Sequence, residues 1–289
     1  MIKNIFISMR PRQWTKNLII FAGLIFSQNL GHPLLLAKTI IAVVLFCAIS
    51  GAVYIINDIL DYKSDQLHPV KKQRPIASGA LPRSAALAAA VILGFAGCAI
   101  AFLINLPFGM VALSYLLLML GYSLWLKRLV IIDVFVIAAG FVMRAAAGAE
   151  AVSVPISDWL LICVILLSLF LALAKRRQEM KTMENEAVVH RQTLSDYSDK
   201  LLDQMIAVVT AAVVVSYSLY TMWPETVEKF GTSNLKFTIP IVLYGIFRYL
   251  YLIYRKNQGE QPETVLLTDR WLLSSLVVYV LAVWLIIYQ

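Results

Sequence analysis

The sequence predicts an all-α integral membrane protein with nine transmembrane helices. Of its 289 residues 60% are hydrophobic and only 15% are charged, a balance that a water-soluble domain with a polar surface to cover rarely shows. The apolar residues also gather in runs close to the roughly 20 residues that cross about 30 Å of hydrocarbon as a helix. Helices are required because backbone groups in lipid must be satisfied within the segment, and the alternating pattern of a barrel strand is absent.

The expected spans are 15–31, 38–57, 84–104, 108–126, 130–149, 157–174, 204–223, 236–254 and 271–288. The first, around "NLIIFAGLIFSQNL", is short and has Gln28 and Asn29 at its end. Counting Lys and Arg between spans gives 20 on the side of the N-terminus and 3 (Lys38, Lys229, Lys236) on the other, with Arg144 and Arg248 inside spans. That asymmetry predicts N-terminus in and C-terminus out, with an odd number of crossings. Lys3, Arg10, Arg12 and Lys16 precede the first apolar run without a small-residue cleavage site, so a retained segment is expected. Residues 1–289 read as one membrane domain, with inner loops at 58–83 and 175–203. The stretch 185–199 reads as a polar helix or a lid.

The net charge of +8 does not indicate nucleic acid, because the basic residues flank apolar runs in the manner of topology signals. Cys47, Cys98 and Cys163 each lie inside an apolar run, and His32, His68 and His190 are scattered. No zinc or haem site held by protein ligands is expected.

The unusual chemistry begins at the inner end of the second span with "NDILDYKSD", residues 57–65. Helical spacing puts Asn57, Asp61 and Asp65 on one stripe, with Asp58 beside Asp61. Close carboxylates repel unless a cation lies among them, and Mg²⁺ favours one or two carboxylates plus substrate phosphate oxygens. The stretch therefore reads as a Mg²⁺–diphosphate site, the alternative being a solvated helix end. "HPVKKQRPIASGALP" follows, with Lys71 and Lys72 explicable as topology signals and Arg74 in a Pro- and Gly-rich loop.

These residues resemble the UbiA superfamily of intramembrane prenyltransferases: "NDILDYKSD" matches its first aspartate-rich motif, and "RPIASG" matches the segment that commonly follows. The resemblance implies a UbiA-type bundle with its active-site cavity on the cytoplasmic side. Members that use aromatic acceptors carry a second aspartate-rich motif after the sixth helix, where this chain has "ALAKRRQEM". Lys175, Arg176 and Arg177 with Glu179 suit polyanionic substrates better than an uncharged acceptor.

"YSLWLKRLVIIDVFV" sets Tyr122 and Lys127 before Asp133, and "GFVMRAAAGAEA" buries Arg144 deeper in the same span. Ionisable groups within a membrane are functional candidates, although Arg144 could instead pair structurally. "MRPRQWTKN" gathers Arg10, Arg12, Trp14, Lys16 and Asn17 at the inner interface, as anchors or as a grip on lipid phosphate. Together with "LLDQMIAVVTAA" and "PETVLLTDR", these stretches resemble the decaprenyl-phosphate phosphoribosyltransferase branch of the superfamily.

The branch resemblance implies transfer of 5-phosphoribose from phosphoribosyl diphosphate to a polyprenyl phosphate, with release of diphosphate, in a bacterial cytoplasmic membrane and feeding arabinose-donor synthesis for the cell envelope. On this reading Asp58, Asp61 and Asp65, assisted by Asn57, hold Mg²⁺, and Asp133 takes a second metal or the ribose hydroxyls. Lys16, Asn17, Arg74, Tyr122, Lys127, Arg144, Lys175, Arg176 and Glu179 bind substrate. The membrane surface leaves room for a homo-oligomer. Two alternatives stand beside this one: prenyl transfer onto an aromatic ring on the same fold, and a secondary transporter using the charges inside its spans.

Overall fold

A computed structural model describes residues 1–185, 196–256 and 262–288. Of the stretch 185–199, residues 186–195 lie outside that description. The described elements are helical throughout: α1 (Ile2–Ser8), a 3₁₀ segment (Pro11–Ile20) running into α2 (Phe21–Phe26), α3 (Pro33–Leu60), α4 (Tyr62–Leu67), α5 (Arg83–Ile104), α6 (Leu106–Leu124), α7 (Ile132–Ala151), α8 (Asp158–Asn185), α9 (Asp199–Met222), α10 (Pro224–Phe230), α11 (Ile239–Lys256), α12 (Pro262–Thr268) and α13 (Arg270–Tyr288). Eight of these helices (α3, α5, α6, α7, α8, α9, α11 and α13) are long and apolar enough to cross a membrane. The chain is an integral membrane protein. The first expected span differs from the rest: residues 11–26 form the 3₁₀ segment and the short α2 instead of one long α-helix.

The chain divides into two compact units, Met1–Ile156 and a second that begins at Ser157. In the first, α3 packs against α5, α6, α7 and the N-terminal 3₁₀ segment. Ile20, Phe46, Phe108, Tyr115 and Ala147 close one part of its core, and Ala52, Ile55, Ile76, Leu81 and Ala90 another. At 28 residues and about 1.5 Å per residue, α3 is longer than the hydrocarbon is thick, so its polar last turn reaches the interface while its apolar body stays buried.

The N-terminal segment lies on α7 backbone to backbone. A Cβ on Gly148 would stand 1.9 Å from the Ile20 carbonyl oxygen, and one on Gly23 would stand 2.7 Å from the Ala149 nitrogen. Small residues serve membrane helices in this way, because lipid supplies no hydrophobic drive and close packing must hold the contact.

In the second unit α8 packs on α9, and α11 packs on α9 and α13. Phe170 of α8 meets Tyr249 of α11 with ring centroids 5.5 Å apart. Arg248, which the sequence places inside a span, forms a two-pronged pair with Asp269 at 3.1 and 2.7 Å. Asp269 also caps α13 by accepting from the Leu272 amide at 2.8 Å, so this cation has a structural partner.

Replacing Gly148 with Ala is expected to destabilise the first unit by about 1–3 kcal/mol, as overpacking of a filled core does. Thermal unfolding of the purified variant in detergent measures it, and an unchanged midpoint would show that the segment is not held there.

Candidate active site

Asn57 and Asp58 occupy the last turn of α3, Asp61 joins α3 to α4, and Asp65 lies on α4. That end of a helix carries the negative pole of its dipole, so carboxylates there are electrostatically disfavoured unless cations accompany them. Three do. Arg10 donates to Asp58, Arg74 Nη1 donates to both Asp58 Oδ1 (3.0 Å) and Asp65 Oδ2 (2.6 Å), and Lys127 Nζ donates to Asp61 Oδ1 (2.6 Å) and Asn57 Oδ1 (3.3 Å). The Asn57 amide closes the set by donating to Asp61 Oδ2 at 3.0 Å. Asp58 and Asp65 are 2% and 4% exposed, whereas a third of the Asp61 side chain is open.

Local sequence explains how distant cations reach these positions. Pro75 keeps Arg74 extended, at φ −61° and ψ 143°, as a following proline does. Ile76 and Leu81, each 1% exposed, plug the loop into the core, and Gly79 supplies the turn at φ +80°. The stretch that follows Arg74 is thereby anchored in the core. Lys127 sits in a 3₁₀ turn between α6 and α7 and is 7% exposed. Ile131 follows with φ 69°, a conformation that strains a β-branched residue, and Asp133 is wholly buried on the first turn of α7. Tyr122 lies half-buried on α6, five residues before Lys127.

Arg10 is the cation that the expected site omitted. "MRPRQWTKN" marked it as one basic residue among several, but its partner Asp58 is 48 residues away, beyond anything that local spacing reveals. Its guanidinium also lies 5.0 Å from the Tyr54 ring centroid.

Two expected substrate residues, Asn17 and Arg144, bond to each other in the first unit. Arg144 Nε donates to Asn17 Oδ1 (2.8 Å), Nη1 to the Gly140 carbonyl (3.0 Å) and Nη2 to the Tyr115 hydroxyl (2.6 Å). Asn17 in turn approaches Cys47 Sγ at 3.3 Å and Ser50 Oγ at 3.4 Å. Both residues are buried. Their knot ties the N-terminal segment to α3, α6 and α7, because a guanidinium in apolar surroundings must fill its donor positions. Lys16 is half-buried, with Nζ 3.4 Å from Gln13 Oε1.

In the second unit Arg176 pairs with Glu179, and Lys175 Nζ stands 3.7 Å from Glu179 Oε1. Arg177 bonds Asp203 at 2.5 Å and stacks 4.0 Å from the Tyr254 ring centroid.

The four expected oxygen ligands are not gathered into one cluster. Among the described residues no three His, Cys, Asp or Glu side chains are grouped to hold a metal. The oxygens fall into two pairs instead, Asp58 with Asp65 around Arg74 and Asn57 with Asp61 around Lys127. Each pair already encloses a positive charge, and one or two carboxylates completed by substrate oxygens is the usual Mg²⁺ arrangement. The donor set therefore fits a metal that comes with a phosphate ligand.

Residues 17–276 match the family model described as UbiA prenyltransferase family. The chain belongs to the UbiA prenyltransferase family. It is 31% identical over 269 residues to the decaprenyl-phosphate phosphoribosyltransferase of Mycobacterium tuberculosis, covering 91% of this chain and 87% of that one. Its identity to the same-named protein of Mycolicibacterium smegmatis is also 31%, over 278 residues, 91% of this chain and 86% of that one. A solved UbiA homolog from Archaeoglobus fulgidus, bound to GPP and Mg²⁺, has the same fold with a TM-score of 0.75 at 16% identity, covering 99% of this chain and 100% of that one.

For this UbiA-family site, a cycle of Arg74→Ala, Asp65→Asn and the double variant is expected to show coupling of about 0.5–3 kcal/mol in unfolding free energy, as contacting groups do. Additive effects would mean that the Arg74–Asp65 contact does not form.

Proposed function

We propose that the protein transfers 5-phosphoribose from phosphoribosyl diphosphate to a polyprenyl phosphate and releases diphosphate. The observation that carries this reading is the 31% identity, along 91% of the chain, to proteins of that activity. In the reaction the bond from ribose C1 to the diphosphate oxygen breaks, and a new one forms from C1 to an oxygen of the lipid phosphate. The acceptor is already an anion at neutral pH, so no strong general base is needed.

The charge balance of the first unit supports a phosphate-rich donor. Three aspartates face three cations, Arg10, Arg74 and Lys127, leaving the group formally neutral. Asp58, Asp61 and Asp65 with Asn57 would hold Mg²⁺, which would supply positive charge to the leaving diphosphate. Arg74 and Lys127, beside those carboxylates, would donate to the phosphates. Asp133 orients the ribose hydroxyls or shares in metal binding, and Tyr122 and Lys16 contact substrate. Asn17 and Arg144 hold the N-terminal segment that carries Arg10. In the second unit Lys175 and Arg176 bind phosphate, and Glu179 addresses the ribose while holding both cations in place. The product feeds arabinose-donor synthesis for the cell envelope.

The same proposal sets the whole chain to work as one domain in the bacterial cytoplasmic membrane, N-terminus in, C-terminus out, with the reaction on the cytoplasmic side. The ninth crossing is the expected first span, residues 15–31, part of which lies in the 3₁₀ segment and α2.

Membranes containing the protein are expected to convert labelled phosphoribosyl diphosphate and polyprenyl phosphate into labelled lipid and diphosphate, and chelation of divalent ions abolishes this. Asp61→Asn lowers turnover by at least about 100-fold, the scale on which a lost metal or electrostatic contact acts, while the variant still folds. Label transfer from a prenyl diphosphate to an aromatic acceptor, with none from phosphoribosyl diphosphate, would sink the proposal.

A further inference from the structure

An apolar groove lies in the α9–α11 face of the second unit. With a volume of about 550 Å³, it runs between these two membrane helices. Ala207, Ala211 and Val214 line one wall, and Leu243, Phe247 and Leu250 the other. Positions 207, 211 and 214 recur at helical spacing on one face of α9, as 243, 247 and 250 do on α11. The two alanines, one turn apart, cut the α9 wall low, while Phe247 stands 56% exposed at the rim. The groove follows α9 from Ile206 to Val215, about 14 Å at 1.5 Å per residue, which is roughly half of the 30 Å hydrocarbon. Its length is therefore that of one leaflet.

One end is closed by charge. Tyr254, the last lining residue on α11, donates to Asp203 at 2.8 Å, and the buried Arg177 bonds the same carboxylate from below. These contacts pin α8, α9 and α11 together where the groove stops. Beyond the stop, Lys200 continues the α9 stripe three residues before Asp203, and Arg255 and Lys256 follow Tyr254 in the last turn of α11. All three are exposed. Asp199 offsets one of these charges and Asp203 is already paired, so the end of the groove presents a net positive surface.

We propose that this groove seats an anionic phospholipid of the bilayer, with one acyl chain between α9 and α11 and its headgroup phosphate on Lys200 and Arg255. An apolar channel one leaflet deep that ends at exposed cations has the shape and charge of such a lipid. A polyprenyl chain is longer than the groove, which distinguishes this occupant from the acceptor substrate. The inference concerns a structural lipid and stands apart from the proposed transfer reaction.

The test uses the full-length protein, purified in detergent and stripped of lipid. Phosphatidylglycerol is expected to raise its unfolding temperature and to be retained as one adduct in native mass spectrometry, more strongly than phosphatidylcholine. Lys200→Gln with Arg255→Gln is expected to weaken retention of phosphatidylglycerol by roughly fivefold per charge removed while leaving phosphatidylcholine unaffected. Ala211→Phe, which fills the channel, removes the adduct for both lipids. Should that variant fail to fold, the charge variant alone decides the matter. Equal retention of the two lipids by wild type and charge variant, or retention of polyprenyl phosphate in their place, would overturn the proposal.

Discussion

The structure of the first unit depends on the need to neutralise three aspartates at the C-terminal end of a long membrane helix. Carboxylates at the negative pole of α3 are unfavourable on their own, and Asp58 and Asp65 are nearly sealed from water. Removing one member of a buried pair typically costs about 3–5 kcal/mol, so Arg10, Arg74 and Lys127 are required by the acidic motif and cannot be a separate feature added to it. The three cations come from the N-terminal segment, the loop after α4 and the turn between α6 and α7. One electrostatic requirement thus organises much of the first unit.

The supports of those cations follow from it. Arg10 can meet Asp58 only if the N-terminal segment is fixed, and two features fix it. Backbone contact at Gly23 and Gly148 sets the distance, while the Arg144 knot with Asn17 and Tyr115 supplies polar bonds that a buried guanidinium demands. Arg74 is held by the core residues Ile76 and Leu81, and Lys127 by a turn that accepts strain at Ile131. The charged cluster is therefore preorganised by apolar packing. Preorganised charge is what phosphate chemistry uses, because donors fixed in advance need no reorganisation when the ligand arrives.

Helix composition and the local motif were legible before any coordinates. The eight long helices coincide with eight of the nine expected spans, because a run of about 20 apolar residues has few alternatives in a membrane. The first segment escaped that reading: its 3₁₀ form depends on packing against α7, which hydropathy does not encode. The stripe of Asn57, Asp61 and Asp65 was readable too, since helical spacing is local. Its division into two cation-bridged pairs was not, because Arg74 and Lys127 arrive from other elements.

The sequence by itself determined a membrane protein built of helices, with acidic and basic motifs concentrated in a few segments, because length, hydropathy and helical period are local properties. Only the tertiary structure decided the partners: Arg10 with Asp58 across 48 residues, and Arg144 with Asn17 across 127. A charge in low dielectric takes whichever complementary group the fold brings within reach, and that reach is set by packing between elements distant in the chain.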